Sequence, residues 1–168
     1  MNSIRSDFHI LLIEDSRADA KIIERALKEG NVAHRLTVIP DGRQALEFLF
    51  SSHGDVHAAD GQPDLILLDL NLPGLDGCQV LTRIKQDLYL RPIPVVILTT
   101  SNREEDILST YRAGANSYIP KPTEYPSYCE LVTTLCHYWM GTAVTVPRTL
   151  RRASAVPSPE EQVSDSQP

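Results

Sequence analysis

The chain has 168 residues, 42% of them hydrophobic, and 16 Lys and Arg against 22 Asp and Glu give a formal net charge of −6. That length suffices for one well-buried domain and falls short of two ordinary ones. The acidic balance argues against direct binding to nucleic acid, which selects clustered basic residues, and points to protein partners instead.

Cys78, Cys129 and Cys136 have neither zinc-like nor Cys-x-x-Cys spacing and read as reduced thiols. No run approaches 18 apolar residues, and the N-terminus lacks a signal-peptide hydrophobic region. A cytoplasmic protein is expected.

In chain order, His-Ile-Leu-Leu-Ile before Glu14-Asp15 is a short apolar run of the kind that forms a buried parallel strand. From Ser16 to Glu29, the residues Ile22, Ile23, Ala26 and Leu27 share one helical face, with Ser16 able to cap the start and Gly30 the end. Val32 to Ile39 offers a second, weaker strand. Asp41 can cap a helix whose Ala45, Leu46, Leu49 and Phe50 lie together. The polar stretch from Ser51 to Gln62 reads as a surface excursion.

A third strand, Asp-Leu-Ile-Leu-Leu, runs into Asp69, and a turn-rich loop up to Gly77 leads to a helix with Val80, Leu81 and Ile84 on one face. Pro-Val-Val-Ile-Leu precedes Thr99-Thr100. Ser101 and Glu104 have capping-box spacing for the next helix. A fifth strand, Asn116 to Ile119, leads to Lys121-Pro122, whose proline suits a rigid turn of either isomer.

The last helix, from Tyr125 to Met140, has a polar stripe of only Glu130, Thr133, Thr134 and His137. The remaining apolar arc is wider than seating on a sheet requires, so a homodimer contact is expected there; the alternative is that residues beyond Gly141 fold back over it. Past Val146 the chain is rich in Pro, Ser and charge and is expected to be disordered. The domain plan is an extension over residues 1–8, a folded unit over 9–140 and a flexible tail over 141–168.

Asp15, Asp69, Thr99 and Lys121 each sit just past a short apolar run. In an open parallel α/β sheet, ligands bind beyond the carboxyl ends of the strands, so these four groups should converge at one rim. Singly, each has a plainer explanation as a cap, a turn or a strand-end hydroxyl; together, at the ends of successive strands, they do not. Glu14, Asp15 and Asp69 would crowd three negative charges, which calls for a cation. All-oxygen ligands suit Mg²⁺. An aspartate can act as a nucleophile toward phosphorus, with Lys121 and the Thr99 hydroxyl steadying the transferred oxygens.

From His9 to Trp139 the chain resembles the receiver domains of two-component response regulators. The resemblance rests on Glu14-Asp15, the loop DLNLPGLDG from Asp69 to Gly77, Thr99-Thr100-Ser101 and YIPKP from Tyr118 to Pro122. The wording of these motifs and the insertion before the third strand are most similar to small stand-alone regulators paired with bacterial phytochrome kinases.

The resemblance implies a flavodoxin-like, doubly wound five-stranded parallel sheet of order 2-1-3-4-5 with five helices. It implies Asp69 as phosphoacceptor from a sensor histidine kinase, Asp15, Asp69 and the Asn71 carbonyl as Mg²⁺ ligands, and Glu14 acting through water. Thr99 and Lys121 would hold the phosphoryl oxygens, and Tyr118 would be an aromatic switch. The output would be a change in protein binding through helix 4, strand 5 and helix 5, with a homodimer expected and no enzymatic role.

An alternative reading is a phosphorelay carrier that passes its phosphate to a histidine phosphotransfer protein. A metal-dependent phosphatase is disfavoured because Asn71, two residues after Asp69, cannot exchange a proton with a leaving group. The complete set of four residues argues against a receiver-like protein that binds partners without phosphorylation.

Overall fold

The structure is a computed structural model that describes residues 8–30, 34–51 and 61–153. Five strands alternate with helices: β1 (His9–Ile13), α1 (Arg17–Glu29), β2 (Arg35–Ile39), α2 (Gly42–Ser51), β3 (Leu65–Leu68), α3 (Gly77–Gln86), β4 (Val95–Thr99), α4 (Glu104–Arg112), β5 (Ser117–Pro120) and α5 (Tyr125–Cys136). A π-helical turn (His137–Thr142) and a short α6 (Arg148–Ala153) follow. The sheet is parallel throughout, in the order β2-β1-β3-β4-β5, as the resemblance to receiver domains implies.

The three central strands are apolar on both faces because both faces are covered. Leu11, Ile13, Ile66, Leu68, Val95 and Ile97 point into one core with α2 and α3. Their alternates Ile10, Leu12, Leu65, Leu67, Val96 and Leu98 point into the other with α1 and α5. Period-two alternation thus divides each strand between two cores.

Local signals set the helix ends. Ser16 Oγ accepts the Asp19 N–H at the start of α1, Asp41 accepts the Gln44 N–H before α2, and Asp76 and Gln79 form a reciprocal capping box on α3. The cysteines are free. Among the described residues, no helix is long and apolar enough to cross a membrane.

Several expectations are corrected. Ser101 does not cap α4: its hydroxyl donates to Asp106, and α4 begins at Glu104 with no side-chain cap. Every described peptide bond is trans, so Pro122 follows a trans bond. The helix expected from Tyr125 to Met140 is α5, which stops at Cys136 and loosens into the π turn, where Thr142 Oγ1 donates to the His137 carbonyl. Phe8 belongs to the α1/α5 core and not to an extension. The expected strand start at Val32 and most of the Ser51 to Gln62 excursion lie outside the described residues.

The chain past Val146 is the largest correction, because α6 adds a sixth helix where disorder was expected. Arg151 is fully buried. Its guanidinium donates to the carbonyls of Pro63 (2.8 Å) and Val146 (2.9 Å) and lies 3.6 Å from Asp64. Arg148 pairs with both Asp64 oxygens, at 3.2 and 2.5 Å. The helix is thus held by ion pairs at the foot of β3, beneath the sheet and away from the strands' carboxyl ends. Residues 154–168 lie outside the described residues.

His9 lines the same lower rim. Arg35 donates to its Nδ1 at 2.9 Å, which leaves Nε2–H facing Thr37 Oγ1 at 2.8 Å. Burial, reinforced by the Arg35 charge, lowers its pKa to about 4.

Two outcomes are expected from this rim. Arg151→Leu should lower stability in urea unfolding by about 2–3 kcal/mol, because it strips a partner from a buried carboxylate and orphans two carbonyls; an unchanged midpoint would mean that α6 does not pack. The depressed pKa of His9 means that the unfolded chain binds the extra proton first as pH falls. Its contribution is therefore complete above pH ~6.5 and is lost between there and about 4, by roughly 3 kcal/mol. Stability curves of wild type and His9→Gln should converge over that window.

Candidate phosphoryl-transfer site

The functional side chains meet because the strand ladders run past the strands into the loops. The Glu14 N–H donates to the Ile39 carbonyl, Asp69 N–H to Ile13 and Lys121 N–H to Thr99. Each bond ties a site residue to the last residue of the neighbouring strand. Glu14, Asp69, Thr99 and Lys121 therefore stand in one row at the carboxyl rim.

Lys121 is the centre of this arrangement. Its side chain is only 3% exposed, and Nζ lies 2.6 Å from Glu14 Oε2, 2.7 Å from Asp69 Oδ2 and 2.8 Å from Asp19 Oδ2. Burial alone would lower the lysine pKa, but its bonds to Asp19, Asp69 and Glu14 outweigh it and hold the pKa above the usual range. Lys121 is a fixed cation. Glu14 is pushed the other way from a usual buried acid pair: its desolvation raises its pKa more than Lys121 lowers it, and Asp69 adds to the rise.

The other Glu14 oxygen, Oε1, accepts the Ser16 N–H at 3.0 Å. Asp15 is exposed at the mouth, and one carboxylate oxygen from each of Glu14, Asp15 and Asp69 falls within 4.8 Å of the others. This all-oxygen set fits a hard divalent cation, which would relieve the crowded negative charge.

Across the site, the Asn71 N–H donates to Asp69 Oδ1 (3.1 Å), and its side-chain amide reaches the hydroxyls of Thr99 (3.4 Å) and Thr100 (3.3 Å). Thr99 is buried and also accepts the Ser101 N–H. Tyr118 is half-buried, with its hydroxyl donating to the Ser101 carbonyl at 2.9 Å and its N–H bonded to the Tyr111 hydroxyl. Burial raises the Tyr118 pKa. The aromatic ring is therefore linked to Thr99 through two residues of loop.

Gly77 brings α3 against the end of β3 that carries Asp69. A Cβ there would fall 2.2 Å from the Asp69 carbonyl oxygen and 2.6 Å from Leu70 Cα. No side chain fits in that gap. Glycine is required by the close approach of two backbones.

The strand-end pattern points to Glu14, Asp15, Asp69, Thr99 and Lys121, and the family resemblance adds Asn71 and Tyr118; all seven lie in this neighbourhood. Neither points to Asp19. The available signal was spacing: four residues after Asp15, on a helix starting at the rim, a carboxylate turns back toward the same face.

The sequence matches the response regulator receiver domain family over residues 10–133. The chain belongs to this family. It is 41% identical to response regulator Rcp1 of Synechocystis sp. over 138 residues, covering 82% of this chain and 92% of that protein.

Among solved structures, it is similar to the phosphorylated cyanobacterial phytochrome response regulator RcpA, with a TM-score of 0.75 and 39% identity over 82% of this chain and 97% of that one. It is also similar to the Mn²⁺-bound form of Rcp1, with a TM-score of 0.74 and 37% identity over 83% of this chain and 99% of that one. The likeness to small phytochrome-paired regulators carried by the motifs therefore extends over most of the receiver. Members of the family are in general signalling proteins rather than enzymes, take a divalent metal in the acidic pocket and interact with sensor histidine kinases.

Gly77→Ala should force apart the Asp69 strand end and α3. The expected cost is about 2–3 kcal/mol of stability by urea unfolding, with a weakened divalent-metal affinity in calorimetry. Unaltered metal binding would show that the close approach does not position Asp69.

Proposed function

We propose that this receiver is a phosphorylation switch: a sensor histidine kinase loads Asp69, and the new charge changes what the protein binds. The observation that carries this reading is the contact of Lys121 with Asp69 at 2.7 Å, beside the buried Thr99 hydroxyl and the acidic trio. A nucleophile, a fixed cation and a hydrogen-bond donor are the parts that phosphoryl transfer needs.

An Asp69 oxygen bonds to the phosphorus of the kinase phosphohistidine. The N–P bond breaks, and the imidazole nitrogen keeps the electron pair. Lys121 and Thr99 then hold oxygens of the transferred group. Asp15, Asp69 and the Asn71 carbonyl would hold Mg²⁺, with Glu14 acting through water; bound there, the ion neutralises charge on the phosphoryl oxygens.

The added charge of about −1.5 to −2 draws Thr99 toward Asp69. Because the Ser101 carbonyl holds the Tyr118 hydroxyl, movement of the Thr99 loop releases the ring. The Tyr118 N–H of β5 donates to the Tyr111 hydroxyl of α4, so release of the ring alters the face formed by α4, β5 and α5. Leu108 and Tyr111 are about half exposed on that face, at 51% and 49%. A homodimer through this face is the output that best fits them.

A kinase of the bacterial phytochrome type is the upstream partner that accords with the similarity to RcpA and Rcp1, and a cytoplasmic location goes with it. The signalling unit in this reading spans residues 8–140, with α6 attached beneath it.

Intact-mass measurement after incubation with Mg²⁺ and acetyl phosphate tests the reading. Wild type should gain one phosphoryl group and Asp69→Asn none. Labelling of the variant would place the acceptor elsewhere.

A further inference from the structure

The ammonium of Lys121 has three protons and three carboxylate partners, Glu14, Asp19 and Asp69, at 2.6, 2.8 and 2.7 Å. Its donor capacity is filled. An arriving phosphoryl oxygen can bond to Nζ only by displacing one of the three.

The partners differ in what they lose. Asp69 is the acceptor itself, and Glu14 is almost fully buried, so a Glu14 carboxylate deprived of Lys121 would be left with little water. Asp19 is 28% exposed and can be rehydrated as it lets go. Its place is nonetheless fixed: the Asp19 N–H is bonded to Ser16 Oγ, and the Ser16 N–H is bonded to Glu14 Oε1.

We propose that Asp19 is a positioning residue for phosphoryl transfer, holding Lys121 in the unphosphorylated state and yielding it to the phosphoryl oxygens as Asp69 is loaded. The proposal rests on the reading of Asp69 as phosphoacceptor. The strength of the Asp19–Lys121 bond then sets part of the barrier to loading. Any interaction that must be broken on the way to the transition state raises that barrier.

In the test reaction, an Asp69 oxygen bonds to the phosphorus of acetyl phosphate, the bond from phosphorus to the acyl oxygen breaks, and acetate leaves with the electron pair. With Mg²⁺ saturating, the initial rate of this step should rise roughly three- to tenfold in Asp19→Asn, because a neutral amide holds an ammonium less firmly than a carboxylate does. In a Lys121→Ala background the same substitution should change the rate less than about twofold, since its effect passes through the lysine.

Salt dependence provides a second reading that does not need the Lys121 variant. A diffuse charge effect on an anionic donor is screened by salt, whereas exchange of a short, largely buried bond is not. The ratio of Asp19→Asn to wild-type rates should therefore hold from about 0.05 to about 0.5 M salt.

An unchanged rate in Asp19→Asn, an equal acceleration with Lys121 removed, or a ratio that collapses to one at high salt each overturns the proposal. Absence of label on wild type would instead overturn the assignment of Asp69, so the two failures are distinguishable.

Discussion

A buried ammonium shared by three carboxylates is the constraint around which the carboxyl rim is built. Lys121 comes from the loop after β5, Glu14 from the loop after β1, Asp69 from the loop after β3 and Asp19 from the first turn of α1. No two of these loops are adjacent in sequence except the β1–α1 pair. Desolvating such a cluster is costly unless its geometry is good and its remaining lone pairs are used. The structure meets that condition through backbone: Ser16 N–H bonds to Glu14, and Asn71 N–H bonds to Asp69. The sheet ladder supplies the rest by locking each loop to its neighbouring strand. Rigidity at this rim is thus a product of main-chain hydrogen bonding, on which the side-chain charges depend.

The same geometry separates the parts that must stay still from the one that must move. Asp69 and Lys121 are bonded to strands that are buried on both faces, while Thr99 leads into a loop whose helix, α4, has no side-chain cap. An uncapped helix start is less firmly anchored than one with an Asp76–Gln79 capping box, which is what α3 has. The chain therefore places its better-fixed helix behind the proposed acceptor and its less-fixed helix behind the hydroxyl proposed to respond. Tyr118 hangs from that second loop through a single hydrogen bond to Ser101.

Much of the fold and the site was legible because both depend on short-range sequence signals. Four apolar runs mark strands, and in a parallel sheet the residues after them must face one rim; Asp15, Asp69, Thr99 and Lys121 could be found without knowing any contact. Asp19 was harder, since its partner is 102 residues away and helix spacing alone points toward a face without naming a bond. The stretch holding Arg148 and Arg151 was misread for a related reason. Its composition lacks the apolar face that normally docks a helix, and what docks it is a pair of arginines on Asp64, 84 or more residues away. Composition reports the capacity to bury apolar area and says nothing of a buried ion pair.

The two rims compare instructively. At the lower one, Asp64 is met by Arg148, Arg151 and the His9 N–H, and the neutral imidazole of His9 accepts from Arg35; every acid there has a basic partner. At the upper one, Glu14, Asp15, Asp19 and Asp69 face the single charge of Lys121. The lower rim is electrostatically closed and behaves as architecture. Among the described residues, the upper one is left short of positive charge, and the exposure of Asp15 and partial hydration of Asp19 ease that deficit. A deficit of that sign would favour a bound cation, and with one held there the proposed transfer would bring a phosphoryl group among carboxylates that would otherwise repel it. The proposed chemistry lies at the end of the sheet where compensation is incomplete.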